Sequence, residues 1–115
     1  MSVLNDYNVN FFVTDYGRKR LSTKNKILTQ FIGDHNSPLT ATNLLSKINQ
    51  VLSNQISSSE PSSLSMFVAT VTATSSKLYT SFEDLDNNPS NPAFALPTNH
   101  FKIILEAWIN YLENG

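Results

Sequence analysis

The chain has 115 residues, of which 40% are hydrophobic and 15% charged, with a formal net charge of −1. That is too apolar for a disordered chain and the right size for one domain, so residues 1–115 are expected to fold as a single unit. The absence of cysteine excludes disulfides, thiolate metal sites and cysteine nucleophiles.

The charge is unevenly spread. Residues 1–57 carry six basic groups (Arg18, Lys19, Arg20, Lys24, Lys26, Lys47) against three acidic ones (Asp6, Asp15, Asp34). Residues 58–115 carry two basic groups (Lys77, Lys102) against six acidic ones (Glu60, Glu83, Asp84, Asp86, Glu106, Glu113). Such a split points to two electrostatically distinct faces. The first residues, Met1 to Asp6, hold no basic segment followed by an apolar run. No stretch reaches the roughly 18 consecutive apolar residues of a membrane span, so a cytoplasmic location is expected.

Tyr7–Thr14 reads as a strand, because Val9, Phe11 and Val13 alternate with Asn8, Asn10 and Phe12. Asp15-Tyr16-Gly17 is a turn signal and Arg18–Ser22 a basic connection. Lys24–Ile32 is open to two readings. Ile27-Leu28 and Phe31-Ile32 have helical spacing, yet the segment also suits the second strand of a hairpin with Tyr7–Thr14, the alternative taken here as the expectation. After the turn Gly33–Asn36, Ser37-Pro38 opens a helix, with Ser as N-cap and Pro at the first helical position. Leu44, Leu45, Ile48, Val51 and Leu52 form its apolar stripe to about Asn54.

Residues 57–63 are a polar, Ser-rich stretch expected to be a mobile loop. Ser65–Thr74 is a strand apolar on both faces, which suits a central position, with a turn at Ser75-Ser76 and an antiparallel partner at Lys77–Phe82. Residues 83–97 are acidic and carry Pro89, Pro92 and Pro97, so an irregular loop is expected there. Thr98 or Asn99 is expected to cap the last helix, whose apolar face holds Phe101, Ile104, Leu105, Trp108, Tyr111 and Leu112. The predicted class is α+β: an antiparallel sheet of three to four strands with two amphipathic helices packed on one face.

Catalytic signatures are sparse. His35 beside Asp34, or His100, can be considered as a general base, but no nucleophile pattern accompanies either, and a turn and a first helical turn account for them. No G-x-S-x-G elbow, Walker loop, dinucleotide fingerprint or zinc spacing occurs, so neither an enzyme nor a cofactor is expected. Glu83, Asp84 and Asp86 cluster, but Asp84–Pro89 lacks the central Gly and closing Glu of a calcium loop. A solvated loop or a docking patch for a basic partner remains. Arg18, Lys19, Arg20, Lys24 and Lys26 form the main basic feature, either a solvated turn or phosphate contacts with Tyr16 available for stacking on a base.

The stretch Leu96-Pro97-Thr98-Asn99-His100-Phe101-Lys102-Ile103-Ile104-Leu105-Glu106-Ala107-Trp108-Ile109-Asn110-Tyr111-Leu112-Glu113 resembles the closing helix of small immunity proteins from bacterial contact-dependent growth inhibition and related polymorphic toxin systems. The resemblance covers about 18 of the 115 residues and carries no site residue with it. It implies a stoichiometric inhibitor that binds a cognate toxin domain, often a nuclease. Under that expectation the partner-binding residues are Glu83, Asp84 and Asp86, with Asp34 a further candidate, because an acidic loop complements a cationic nuclease cleft. The alternative is a small nucleic-acid-binding accessory protein using Arg18, Lys19, Arg20, Lys24 and Lys26.

Overall fold

The structure, a computed structural model, describes residues 2–115. Eleven elements follow in chain order: α1 (Val3–Asp6), β1 (Asn10–Val13), β2 (Lys19–Ser22), α2 (Lys26–Gly33), α3 (Pro38–Leu52), β3 (Ser58–Ser59), β4 (Val68–Thr72), β5 (Ser75–Tyr79), α4 (Phe82–Asn87), β6 (Phe94–Pro97) and α5 (Thr98–Asn114). The class is α+β, as expected. The strands form two antiparallel sheets, a β1–β2 ribbon and a four-stranded meander in the order β3-β4-β5-β6.

The main core lies between the meander, α2, α3 and α5. Ala69, Val71, Leu78 and Leu96 meet Leu28, Phe31 and Ile32 of α2, Ala41, Leu44, Ile48 and Val51 of α3, and Phe101, Ile104, Leu105 and Trp108 of α5. The Trp108 indole N–H donates to the His35 carbonyl at 2.9 Å, so a fully buried Trp also satisfies its one polar atom. On the opposite face of the meander, the cross-strand pair Val68 and Tyr79 is buried as well. There α4 lies against β5, and the Tyr79 hydroxyl donates to the Pro89 carbonyl. The two long amphipathic helices α3 and α5 thus share one face as expected, and β4 and β5 are apolar on both sides because the short α4 and the chain after it cover the second side.

Three segments take a different form from that expected, each for a local reason. The partner of β1 is Lys19–Ser22, with Phe12 opposite Arg20 and Val13 opposite Lys19. Gly17 at φ +85° makes the turn tight enough to bring the basic segment straight back as a strand. Lys24–Ile32, expected as the hairpin's second strand, is instead α2. The Asn25 side chain accepts from the backbone N–H of Ile27 and Leu28 at 2.9 and 3.1 Å, an N-cap that decides the segment for helix. Residues 83–97 are not irregular throughout. Ser81 caps the short α4, accepting from the Asp84 amide at 3.0 Å, and Phe94–Pro97 adds to the meander as an edge strand, where proline is tolerated.

Smaller corrections concern strand and helix ends. Tyr7 ends α1, and Asn8 at φ 52° breaks the chain before β1. The β4–β5 turn is Ala73-Thr74, so Ser75 and Ser76 belong to β5, and Phe82 opens α4. Ser58–Ser59 pairs with β4, and Ser62 bridges to Val68, which ties the Ser-rich stretch to the sheet. Thr98 does not cap α5. Its hydroxyl is fully buried, shares a 2.8 Å hydrogen bond with Ser76 and donates to the Thr72 carbonyl at 2.6 Å. The α3 start is as expected: Ser37 and Thr40 form a reciprocal capping box with Pro38 in the first turn.

Candidate functional site

The two charged features separate in space and in the state of their side chains. On the basic side, Lys19 is committed internally. Its ammonium donates to the Tyr111 and Leu112 carbonyls at 3.0 Å each, at the end of α5 where the helix dipole favours a cation; the Tyr111 carbonyl also accepts the Gly115 N–H. Lys24 lies over the Tyr7 ring at 4.9 Å, and Lys26 is exposed in the first turn of α2. Of the five basic candidates, Arg18, Lys19 and Arg20 line a cleft of about 360 Å³, closed on its other sides by Gly17, Asn36, Ser37, Pro38 and Leu112.

On the acidic side, Glu83 and Asp84 sit in the first turn of α4, where negative charge complements the helix dipole. Asp84 accepts from the Asn88 side chain at 3.2 Å and is half-buried, whereas Glu83 and Asp86 are exposed. Phe82 stands 43% exposed beside them. The sequence placed Phe82 at the end of a strand, so its position next to the carboxylates was not foreseen.

Asp34 belongs to neither feature. One carboxylate oxygen accepts from the Gln30 amide at 2.7 Å and the other from the Ser65 backbone N–H at 2.9 Å. Burial pushes its pKa up, but donors from Ser63, Ser65 and Gln30 outweigh this and hold it below the ordinary aspartate value. The Ser63 Oγ adds to that pull without completing a full hydrogen bond of its own. Asp34 thus holds the loop joining the Ser62 bridge to β4. In this loop Met66 adopts φ 68°, and Leu64 and Met66 are 80% and 63% exposed. Met66 was expected inside a strand beginning at Ser65, but β4 begins only at Val68, which leaves Leu64 and Met66 in the loop before it.

Both histidines are engaged by one ring nitrogen. His35 Nδ1 donates to the Phe31 carbonyl at 2.8 Å, and His100 Nδ1 is 3.0 Å from the Tyr7 hydroxyl. Burial, with Asp6 nearby, raises the Tyr7 pKa above the ordinary tyrosine value. Among the described residues, no serine or threonine hydroxyl is hydrogen-bonded to either ring. No group of three or more His, Asp or Glu gathers to hold a metal ion among them, and no helix is long and apolar enough to cross a membrane.

No protein-family model matches the chain, and no curated protein or solved structure is significantly similar to it.

Proposed function

We propose that the protein is a non-catalytic binding protein: a stoichiometric, immunity-type inhibitor that occupies a cognate bacterial toxin domain, a nuclease, in the cytoplasm. The observation that carries this reading is the surface of α4, where exposed Phe82 stands beside exposed Glu83 and Asp86. An aromatic anchor ringed by carboxylates suits a protein partner with a cationic cleft, the anchor supplying desolvated contact and the charges steering encounter. A nuclease keeps such a cleft for its phosphate substrate. The helix is pinned to β5 and capped by Ser81, so the surface is presented ready-made and little ordering cost falls on binding. Asp34, with both oxygens engaged by Gln30 and Ser65, acts in this proposal only by shaping a neighbouring loop.

The test starts from the tagged protein in its native source, with bound proteins identified by mass spectrometry. The expected result is a one-to-one complex with a single toxin domain whose activity the protein suppresses. A complex unchanged by reversing the charges of Glu83, Asp84 and Asp86 would remove α4 from the proposal.

A further inference from the structure

We infer that the cleft along β2 is a binding site for the phosphate of a nucleotide unit, with Arg18 and Arg20 as the phosphate ligands and Phe12 and Tyr16 as flanking surfaces for the base. It lies on elements other than α4 and stands independently of the proposed inhibitor role.

Arg20 lies within β2 and Arg18 stands immediately before it, so the two flank Lys19 along one stretch of chain. Both line the cleft of about 360 Å³, a volume suited to a small anionic group. Among the described residues, no hydrogen bond ties either guanidinium to a protein acceptor, in contrast to Lys19 between them, which is spent on the α5 carbonyls. That Lys19 anchor has a second consequence. It fixes the start of β2 against α5, so Arg20 on the strand and Arg18 just before it sit on either side of an anchored residue, and less of their ordering cost remains to be met on binding. Guanidinium groups match phosphate oxygens in paired hydrogen bonds, which a lysine cannot reproduce.

The opposite wall is polar, with Asn36 and Ser37. The start of α3 adds little by itself. Pro38 has no N–H, and Ser37 and Thr40 are engaged with each other. The arginines and the cleft therefore carry the site. Its aromatic flank follows from register: Phe12 pairs directly with Arg20 across the ribbon and is 45% exposed, while Tyr16 at the hairpin tip is 76% exposed. Aromatic faces beside cationic side chains are the two elements by which proteins hold unpaired nucleotides. The phosphate can come from a free nucleotide or from single-stranded nucleic acid.

The test is an amide-resolved NMR titration of the full chain at low salt with three probes: inorganic phosphate, ATP without metal, and a ten-nucleotide oligouridylate. All three are expected to shift Gly17–Arg20, Asn36 and Ser37, and those carrying a base to shift Phe12 and Tyr16 as well. Tighter binding of ATP than of the oligonucleotide assigns a free nucleotide, and the reverse order assigns a single strand. Arg18→Gln/Arg20→Gln should weaken the bound probe about tenfold or more and flatten its salt dependence. Lys24→Gln/Lys26→Gln should leave both unchanged. Unaltered melting of the arginine variant shows that the fold is intact, and the single variants replace the double one if it melts early. No shifts in the cleft with any probe, or equal affinity without the arginines, would overturn the inference.

Discussion

The Asp34 carboxylate accepts the backbone N–H of Ser65 at 2.9 Å, linking the end of α2 to a loop 31 positions further along the chain. Because Gln30 reaches both Asp34 and the Ser65 hydroxyl, the loop before β4 is held from two side chains on one helical turn. This contact makes part of the fold's stability depend on pH.

The pKa of Asp34 is lowered in the folded chain, so the carboxylate contributes stability that is fully present above its unfolded pKa. That contribution is lost as pH falls through the lowered folded value. Asp34→Asn should cost about 1 kcal/mol at neutral pH, a figure reduced for partial exposure, and the gap to the native chain should close on acidification. Urea unfolding at neutral and strongly acidic pH measures both gaps. A gap that stays constant would show that the carboxylate's charge plays no part.

Met66 sits at φ 68° in a turn where its amide donates to the Ser63 carbonyl at 2.9 Å. A side chain in this left-handed region costs about 1 kcal/mol, whereas glycine adopts it freely. Since Met66 is mostly exposed, Met66→Gly removes little packing and should raise the melting temperature by a few degrees, roughly 4–8 °C per kcal/mol. Differential scanning calorimetry reads the change directly. A fall in melting temperature would mean that the thioether packs on the surface more than its exposure implies.

The buried Ser76–Thr98–Thr72 chain of hydrogen bonds should behave as a unit. Thr98→Val leaves the buried Ser76 hydroxyl without its partner and removes a donor from the Thr72 carbonyl, and should destabilise by about 1–3 kcal/mol. Adding Ser76→Ala should cost less than the two single changes together, since each removes the other's orphaned partner. A double-mutant cycle by chemical denaturation reports the coupling, and strict additivity would contradict it.

Lys19 and its neighbouring arginines should part company in experiment. Lys19→Met removes the donor to the last carbonyls of α5 and should lower stability by about 0.5–1 kcal/mol. Arg18→Gln and Arg20→Gln should leave stability within about 0.5 kcal/mol. Thermal melts of the three variants side by side decide the matter, and equal losses in all three would remove the distinction.

What the sequence made legible follows the strength of its local signals. The α3 and α5 stripes repeat over many turns, and Ser37-Pro38 is a double start signal, so both helices lie where the periodicity puts them. Short segments were decided by contacts that periodicity does not encode. The Asn25 cap turned Lys24–Ile32 into a helix, and the Gly17 turn made a strand of the basic segment. Thr98 looks like a cap in sequence because only tertiary structure supplies its buried partner Ser76. The candidate surfaces divide the same way. The acidic residues do lie together on α4, yet the role of Asp34 in holding a loop, and the internal commitment of Lys19, depend on neighbours far away in the chain.

The proposed inhibition through α4 can be read by titrating the purified protein against the toxin domain recovered with it, using isothermal calorimetry. One-to-one binding is expected, weakening about tenfold or more when Glu83, Asp84 and Asp86 are all changed to lysine, with toxin activity restored in parallel. Binding of undiminished strength, or a toxin that remains active in the saturated complex, would contradict it.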